Sequence, residues 1–153
     1  MNGQHVFAAI IATVWVALPS PAFGDGSCKL GSLADIAFGS YDVFSRTPNN
    51  AGVGSITIRC SGVHKNAVVV SLSAGHSNSY AARVMSSGRN SLNYNLYTSA
   101  SRSIVWGDGT GGSSTMTVAG DATTTLSVFG QIPAGQDVGA GSYTDNILET
   151  VEF

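Results

Sequence analysis

The chain has 153 residues, of which 10% are charged, and its seven basic and nine acidic side chains leave a net charge of −2. That balance gives no electrostatic footprint for nucleic acid or for anionic lipid. The length suits one ordinary domain, and 19 glycines among many Ser, Thr and Asn residues suit an exported β protein better than a cytosolic helical enzyme.

At the N-terminus, residues 6–18 form an uncharged apolar run, shorter than the roughly 20 residues that a membrane-spanning helix needs. Pro19 and Pro21 follow, then Ala22-Phe23-Gly24, which places small residues at the −3 and −1 positions of a cleavage site. The pattern reads as a secretory signal peptide over residues 1–24, although residues 1–5 carry no Lys or Arg; a buried N-terminal strand or helix is the alternative. Processing would leave residues 25–153 with all of the charged side chains and no membrane span. Cys28 and Cys60 both lie in that part, and an even cysteine count in an exported chain predicts a disulfide. It would close a loop for which chain entropy gives roughly 3–4 kcal/mol.

Beyond Cys28 the signals are those of strands: short alternating runs separated by Gly, Asn, Asp and Ser. They predict strands near residues 33–38, 54–60, 67–72, 92–97, 103–106, 114–118, 124–132 and 143–153. Such spacing indicates an all-β sandwich. The last run places Tyr143, Asp145, Ile147, Glu149, Val151 and Phe153 on one face and Thr144, Asn146, Thr150 and Glu152 on the other. It reads as one strand with an apolar face interrupted by two acids, and an open edge on such a strand is a template for another chain.

Chemistry is hard to find in the rest. Residues 106–112, WGDGTGG, are glycine-rich but lack the Lys-Ser/Thr of a phosphate loop, and Asp-Gly suits a tight hairpin turn. His64 and His76 sit in separate turn-like segments without carboxylates or thiolates at ligand spacing, which argues against a metal. No serine lies in a Gly-x-Ser-x-Gly elbow, so no catalytic residue and no cofactor is predicted.

Several blocks carry a resemblance: IAFGSYD at 36–42, GSITIRC at 54–60, LSAG at 72–75, RVM at 83–85, LNYNLY at 92–97, VWGDG at 105–109, GQIPAGQ at 130–136 and AGSYTD at 140–145. In this order they make residues 28–153 resemble the spore coat protein U domain family, the subunit domain of archaic chaperone-usher pili. The resemblance implies an immunoglobulin-like β-sandwich that lacks its last strand and is completed by a donor strand from a chaperone or a neighbouring subunit. It implies as partners a periplasmic pilus chaperone, an outer-membrane usher and other pilus subunits, joined by β-strand addition. It also implies export to the cell surface and a role in adhesion or biofilm formation. The residues expected to face the donor or chaperone are Tyr143, Ile147, Val151 and Phe153.

Two features depart from that pattern. Glu149 falls on the inward face, so either a bulge turns Leu148 inward or Glu149 occupies a wet position. Only residues 25–27 separate the expected cleavage site from Cys28, about 10 Å of chain at most and too short for a strand donor. A subunit that accepts a strand and gives none would be terminal in a fibre. The alternatives are a non-polymerising spore-coat or envelope protein, or a sugar-binding module that uses Trp106 and nearby polar loops.

Overall fold

The structure, a computed structural model, describes residues 6–12, 26–63 and 67–153. It is all-β apart from one 3-10 turn at Gly75–Ser77. In chain order the strands are β1 (Val6–Ala12), β2 (Ser27–Tyr41), β3 (Val53–Ser61), β4 (Ala67–Leu72), β5 (Arg83–Ser87), β6 (Asn90–Tyr97), β7 (Met116–Ala119), β8 (Thr123–Gln131), β9 (Gly141–Ile147) and β10 (Glu149–Glu152). Among the described residues no helix is long and apolar enough to cross a membrane.

Alternation sets which side chains go inside. In β3, Ile56, Ile58 and Cys60 are buried while their neighbours are not, and β4 does the same with Val68, Val70 and Leu72. These residues meet Phe38, Tyr41, Met85, Leu92, Tyr94, Leu96, Trp106, Val128 and Ile132 in a single core. The strands divide between two sheets. The larger runs β1-β2-β3-β8-β6-β5-β9 and curls until β9 meets β1; the smaller runs β10-β4-β7. The expected sandwich is present, with its larger sheet rolled shut.

Cys28 and Cys60 are bonded, as their number and compartment indicated, and they sit directly opposite each other on β2 and β3. The bond therefore pins the start of β2 to the end of β3. Predicted strand 67–72 coincides with β4, whereas β2 is much longer than residues 33–38 because bulges carry its pairing with β3 past two shifts of register. The predicted strand at 103–106 is reduced to isolated bridges at Val105 and Trp106. The predicted strand at 143–153 is two strands in two sheets, β9 and β10, with Leu148 as the residue that passes between them.

Candidate strand-acceptor site

Among the described residues, β1 joins β2 to β9 and so completes the ring of the larger sheet. β1 lies antiparallel to the end of β2, from Val6 opposite Tyr41 to Ile10 opposite Ile36. On its other side it runs parallel to all of β9, from Val6 level with Gly141 to Ala12 level with Ile147. The bulge in the first pairing places Ala8 opposite Gly39 and Ala9 opposite Ala37. Gly39 takes φ +67°, a conformation that favours glycine, so the sequence builds this bend into the edge of β2 itself. Without β1 the order would be an open six-stranded sheet, β2-β3-β8-β6-β5-β9, with the backbone groups of β2 and β9 facing each other across a slot one strand wide.

The slot is lined on the β2 side by buried Ile36, Phe38 and Tyr41, and on the β9 side by buried Tyr143, Asp145 and Ile147. Tyr41 is held by a hydrogen bond from its hydroxyl to Pro133 O (2.9 Å) and accepts one from Gln136 N (3.0 Å). The Tyr143 hydroxyl donates to Gly139 O (2.7 Å), and burial raises its pKa. Both aromatic walls are thus anchored by polar bonds at their outer ends.

Asp145 is the acid the core accommodates. Its carboxylate accepts from the Tyr94 hydroxyl (2.7 Å), from His76 N (3.0 Å) and from Asn146 N (2.8 Å). Burial first, and then the charge and hydrogen bond of Asp145, hold the Tyr94 hydroxyl protonated far above its usual range. Gly75 makes the arrangement possible: it sits at φ +65°, and a Cβ there would collide with the Asp145 carboxylate. Close by, the fully buried Arg83 donates to Ser73 O through Nε and Nη2 (3.0 and 2.7 Å), to Asn95 Oδ1 (2.7 Å) and to Trp106 O (2.7 Å). Arg83 and Asp145 together fasten the 73–81 loop to the sheet that carries the slot.

Sequence reasoning missed this pair of anchors. A signal existed for each: Asp145 stood on a face read as inward, where an acid needs partners, and Arg83 began a block, RVM, that alternates like a strand.

The four residues expected to face a donor do not share one surface. Tyr143 and Ile147 lie on β9, which borders the slot. Val151 and Phe153 do not: Val151 is buried opposite Val70 of β4, and Phe153 follows β10 in the smaller sheet. The reason is the exchange of sheets at Leu148, where Ser73 N donates to Leu148 O (2.8 Å) and Leu148 N donates to Ser73 Oγ (2.9 Å). This corner preserves the alternation, so Glu149 and Val151 stay inward while Leu148 is exposed. Neither expectation for Glu149 holds. Leu148 does not turn in, and Glu149 is only 4% exposed, with neither carboxylate oxygen hydrogen-bonded among the described residues.

Trp106 is likewise corrected as a sugar platform. It is fully buried and its Nε1 donates to Val70 O (3.0 Å), so its ring is a core element. His76 takes part through its backbone, and His64 lies outside the described residues. Among the described residues no group of three or more His, Cys, Asp or Glu could hold a metal ion.

Comparison with known proteins agrees with this architecture. A crystal structure of the CsuC–CsuE chaperone–tip adhesion subunit pre-assembly complex, from archaic chaperone-usher Csu pili of Acinetobacter baumannii, is similar with a TM-score of 0.52 and 24% identity. The match covers 84% of this chain and 40% of that one, and it speaks for the fold. Protein U of Myxococcus xanthus is 30% identical over 159 residues, spanning 93% of this chain and 86% of the relative. The Spore Coat Protein U domain matches residues 13–150, from just after β1 to within β10, and the chain belongs to the Spore Coat Protein U domain family.

Proposed function

We propose that this chain is an exported structural subunit of a chaperone-usher surface fibre, and that the slot between β2 and β9 is where it accepts a donor strand. The observation that carries the reading is that, among the described residues, it is β1 that bridges β2 and β9 in the larger sheet. Those residues fall inside the segment read as a signal peptide and outside the residues that match the family. Removal of residues 1–24 on export opens two facing strand edges over an apolar core. A strand from a periplasmic chaperone, and later one from a neighbouring subunit delivered at an outer-membrane usher, restores the backbone bonds. The Acinetobacter complex, a chaperone with a pilus subunit, supports partners of that kind.

Cleavage after Gly24 leaves residues 25–27 before Cys28, and Ser27 is already paired with Ser61. No length remains to donate. The chain is then a terminal subunit or stopper, and a terminal place suits adhesion or biofilm formation. A second reading, a self-complete coat or envelope protein, is favoured by the fact that β1 closes the sheet from within the same chain.

Periplasmic expression tests the two. On the fibre reading, the secreted protein begins near Asp25, is recovered bound to a pilus chaperone, aggregates without one, and does not polymerise by itself. A monodisperse, cooperatively melting monomer that retains residues 6–12 would overturn that reading in favour of the coat protein, and fibres grown from this chain alone would remove the terminal assignment.

A further inference from the structure

Away from the slot, two loops leave a cleft between them. Residues 73–81, which lead from β4 toward β5, supply Asn78, Tyr80 and Ala81, and residues 106–113, which precede β7, supply Asp108, Thr110 and Gly111. The space they enclose is about 520 Å³, within the range of roughly 300–1,000 Å³ for sites that take a small molecule. None of these residues lies on β2 or β9, so the cleft is distinct from the slot.

The cleft is fixed from beneath. Arg83 donates to Ser73 O (3.0 and 2.7 Å) and to Trp106 O (2.7 Å), which belong to the first residues of the two loops, so one buried side chain ties both. Its guanidinium carbon lies 5.2 Å from the centre of the Tyr80 ring. The Tyr80 hydroxyl donates to Leu72 O (3.0 Å), and Asn95 Nδ2 donates to Tyr80 O (2.8 Å). Gly107 is pressed so close to the ring that a Cβ there would collide with it. The aromatic wall is thus in place before any ligand arrives, and little ordering remains to oppose binding.

The lining groups select the kind of ligand. Asp108 is the one acid among the residues that line the cleft, and no Lys, Arg or His joins it. Its Oδ1 accepts from Thr110 Oγ1 (2.6 Å) and Thr110 N (2.9 Å), bonds that lower its pKa and keep it a charged acceptor. An anion is therefore repelled. A cation gains little from a single exposed carboxylate, and among the described residues no group of three or more His, Cys, Asp or Glu could hold a metal ion. A neutral ligand with several hydroxyls fits better: the carboxylate accepts from them, the Asn78 carboxamide can donate and accept, and the Tyr80 ring offers an apolar face.

We propose that the cleft is a carbohydrate site, in which Tyr80 packs against the C–H face of a pyranose while Asp108 and Asn78 take its hydroxyls. The aromatic platform is Tyr80 and not the buried Trp106. The inference does not need the strand-acceptor reading, and its test uses the full chain, in which β1 completes the larger sheet.

The amide resonances of the isotope-labelled chain are followed during titration with the methyl glycosides of glucose, galactose, mannose and N-acetylglucosamine, each taken to tens of millimolar. At least one glycoside is expected to shift the amides of Asn78, Ser79, Thr110 and Gly111 together and saturably. Asp108→Ala removes the charged acceptor and is expected to weaken that binding about tenfold or more, the usual loss for a hydrogen bond to a charged group. Ala81→Trp fills the cleft from an exposed position and is expected to abolish binding while leaving thermal unfolding unchanged. Should Asp108→Ala loosen its own loop, Ala81→Trp decides alone. Three results overturn the site: no saturable shift at the cleft with any of the four glycosides, shifts that persist undiminished in Ala81→Trp, or a stronger response of the same amides to methylammonium chloride than to every sugar, which marks a cation site instead.

Discussion

β9 and β10 are neighbours in sequence with the same alternation, yet they do different work. β9 borders the slot that β1 fills, and its inward acid, Asp145, is bonded by three donors. β10 pairs with β4 in the other sheet, and its inward acid, Glu149, has none among the described residues. Period-two alternation determines which face a residue shows and is blind to which sheet that face belongs to. A single exposed residue, Leu148, is enough to hand the same pattern from one sheet to the other.

The sharpest way to test the division is to place a charge on each strand. Ile147→Asp puts a carboxylate into the wall of the slot, where an unpaired charge costs several kcal/mol. Donor binding by the processed chain is expected to fall by more than about a hundredfold, as that energy implies, while Asn146→Asp on the exposed phase of β9 changes it little. Val151→Asp destabilises the chain through the smaller sheet. Its folded fraction is expected to bind donor with nearly unchanged affinity, because Val151 faces Val70 and not the slot. Equal loss of affinity at Ile147 and Val151 would mean that β9 and β10 act as one strand after all.

Next in size is the contrast between the two acids. Asp145→Ala leaves the Tyr94 hydroxyl and His76 N without their acceptor, at roughly 2–4 kcal/mol by the usual cost of orphaned buried donors. Asp145→Asn, which keeps an acceptor oxygen, should lose less. Urea unfolding of the full chain measures both, and hydrogen exchange at His76 N shows whether the loop has come free. A result in which Asp145→Ala is silent would make the three hydrogen bonds incidental.

This contrast also shows how far the sequence could be read. The strands and the inward faces were legible because Val68, Val70 and Leu72, or Leu92, Tyr94 and Leu96, repeat with the period of a pleated backbone. The Cys28–Cys60 bond was legible from export and an even count. The slot was legible only as a need of the C-terminal strand for a neighbour; that β2 forms its other wall depends on non-local pairing that no local pattern encodes. β5 was passed over as a strand because Arg83 looks like a surface residue until Ser73 O, Trp106 O and Asn95 are folded around it. The length of β2 was hidden by its bulges, which break the period that reading depends on.

The expected effect most specific to β10 is a dependence of stability on pH. Burial raises the Glu149 pKa from 4.5 to about 7 in the folded chain, so folding favours the protonated acid. This group's stabilising contribution is therefore fully present below pH 4.5 and is lost as the pH rises through 7, because the unfolded chain releases that proton earlier than the folded one. Glu149→Gln keeps the shape and removes the titration. Compared with the parent chain by urea unfolding, it should be little changed near pH 4.5 and more stable at pH 8, with a flatter profile between them. Asp145→Asn should not reproduce that gain, since the Asp145 side chain already has hydrogen-bond partners. Parallel pH profiles for the parent chain and Glu149→Gln would mean that the Glu149 carboxylate finds a partner in solution, and the distinction between the two acids would then reduce to position alone.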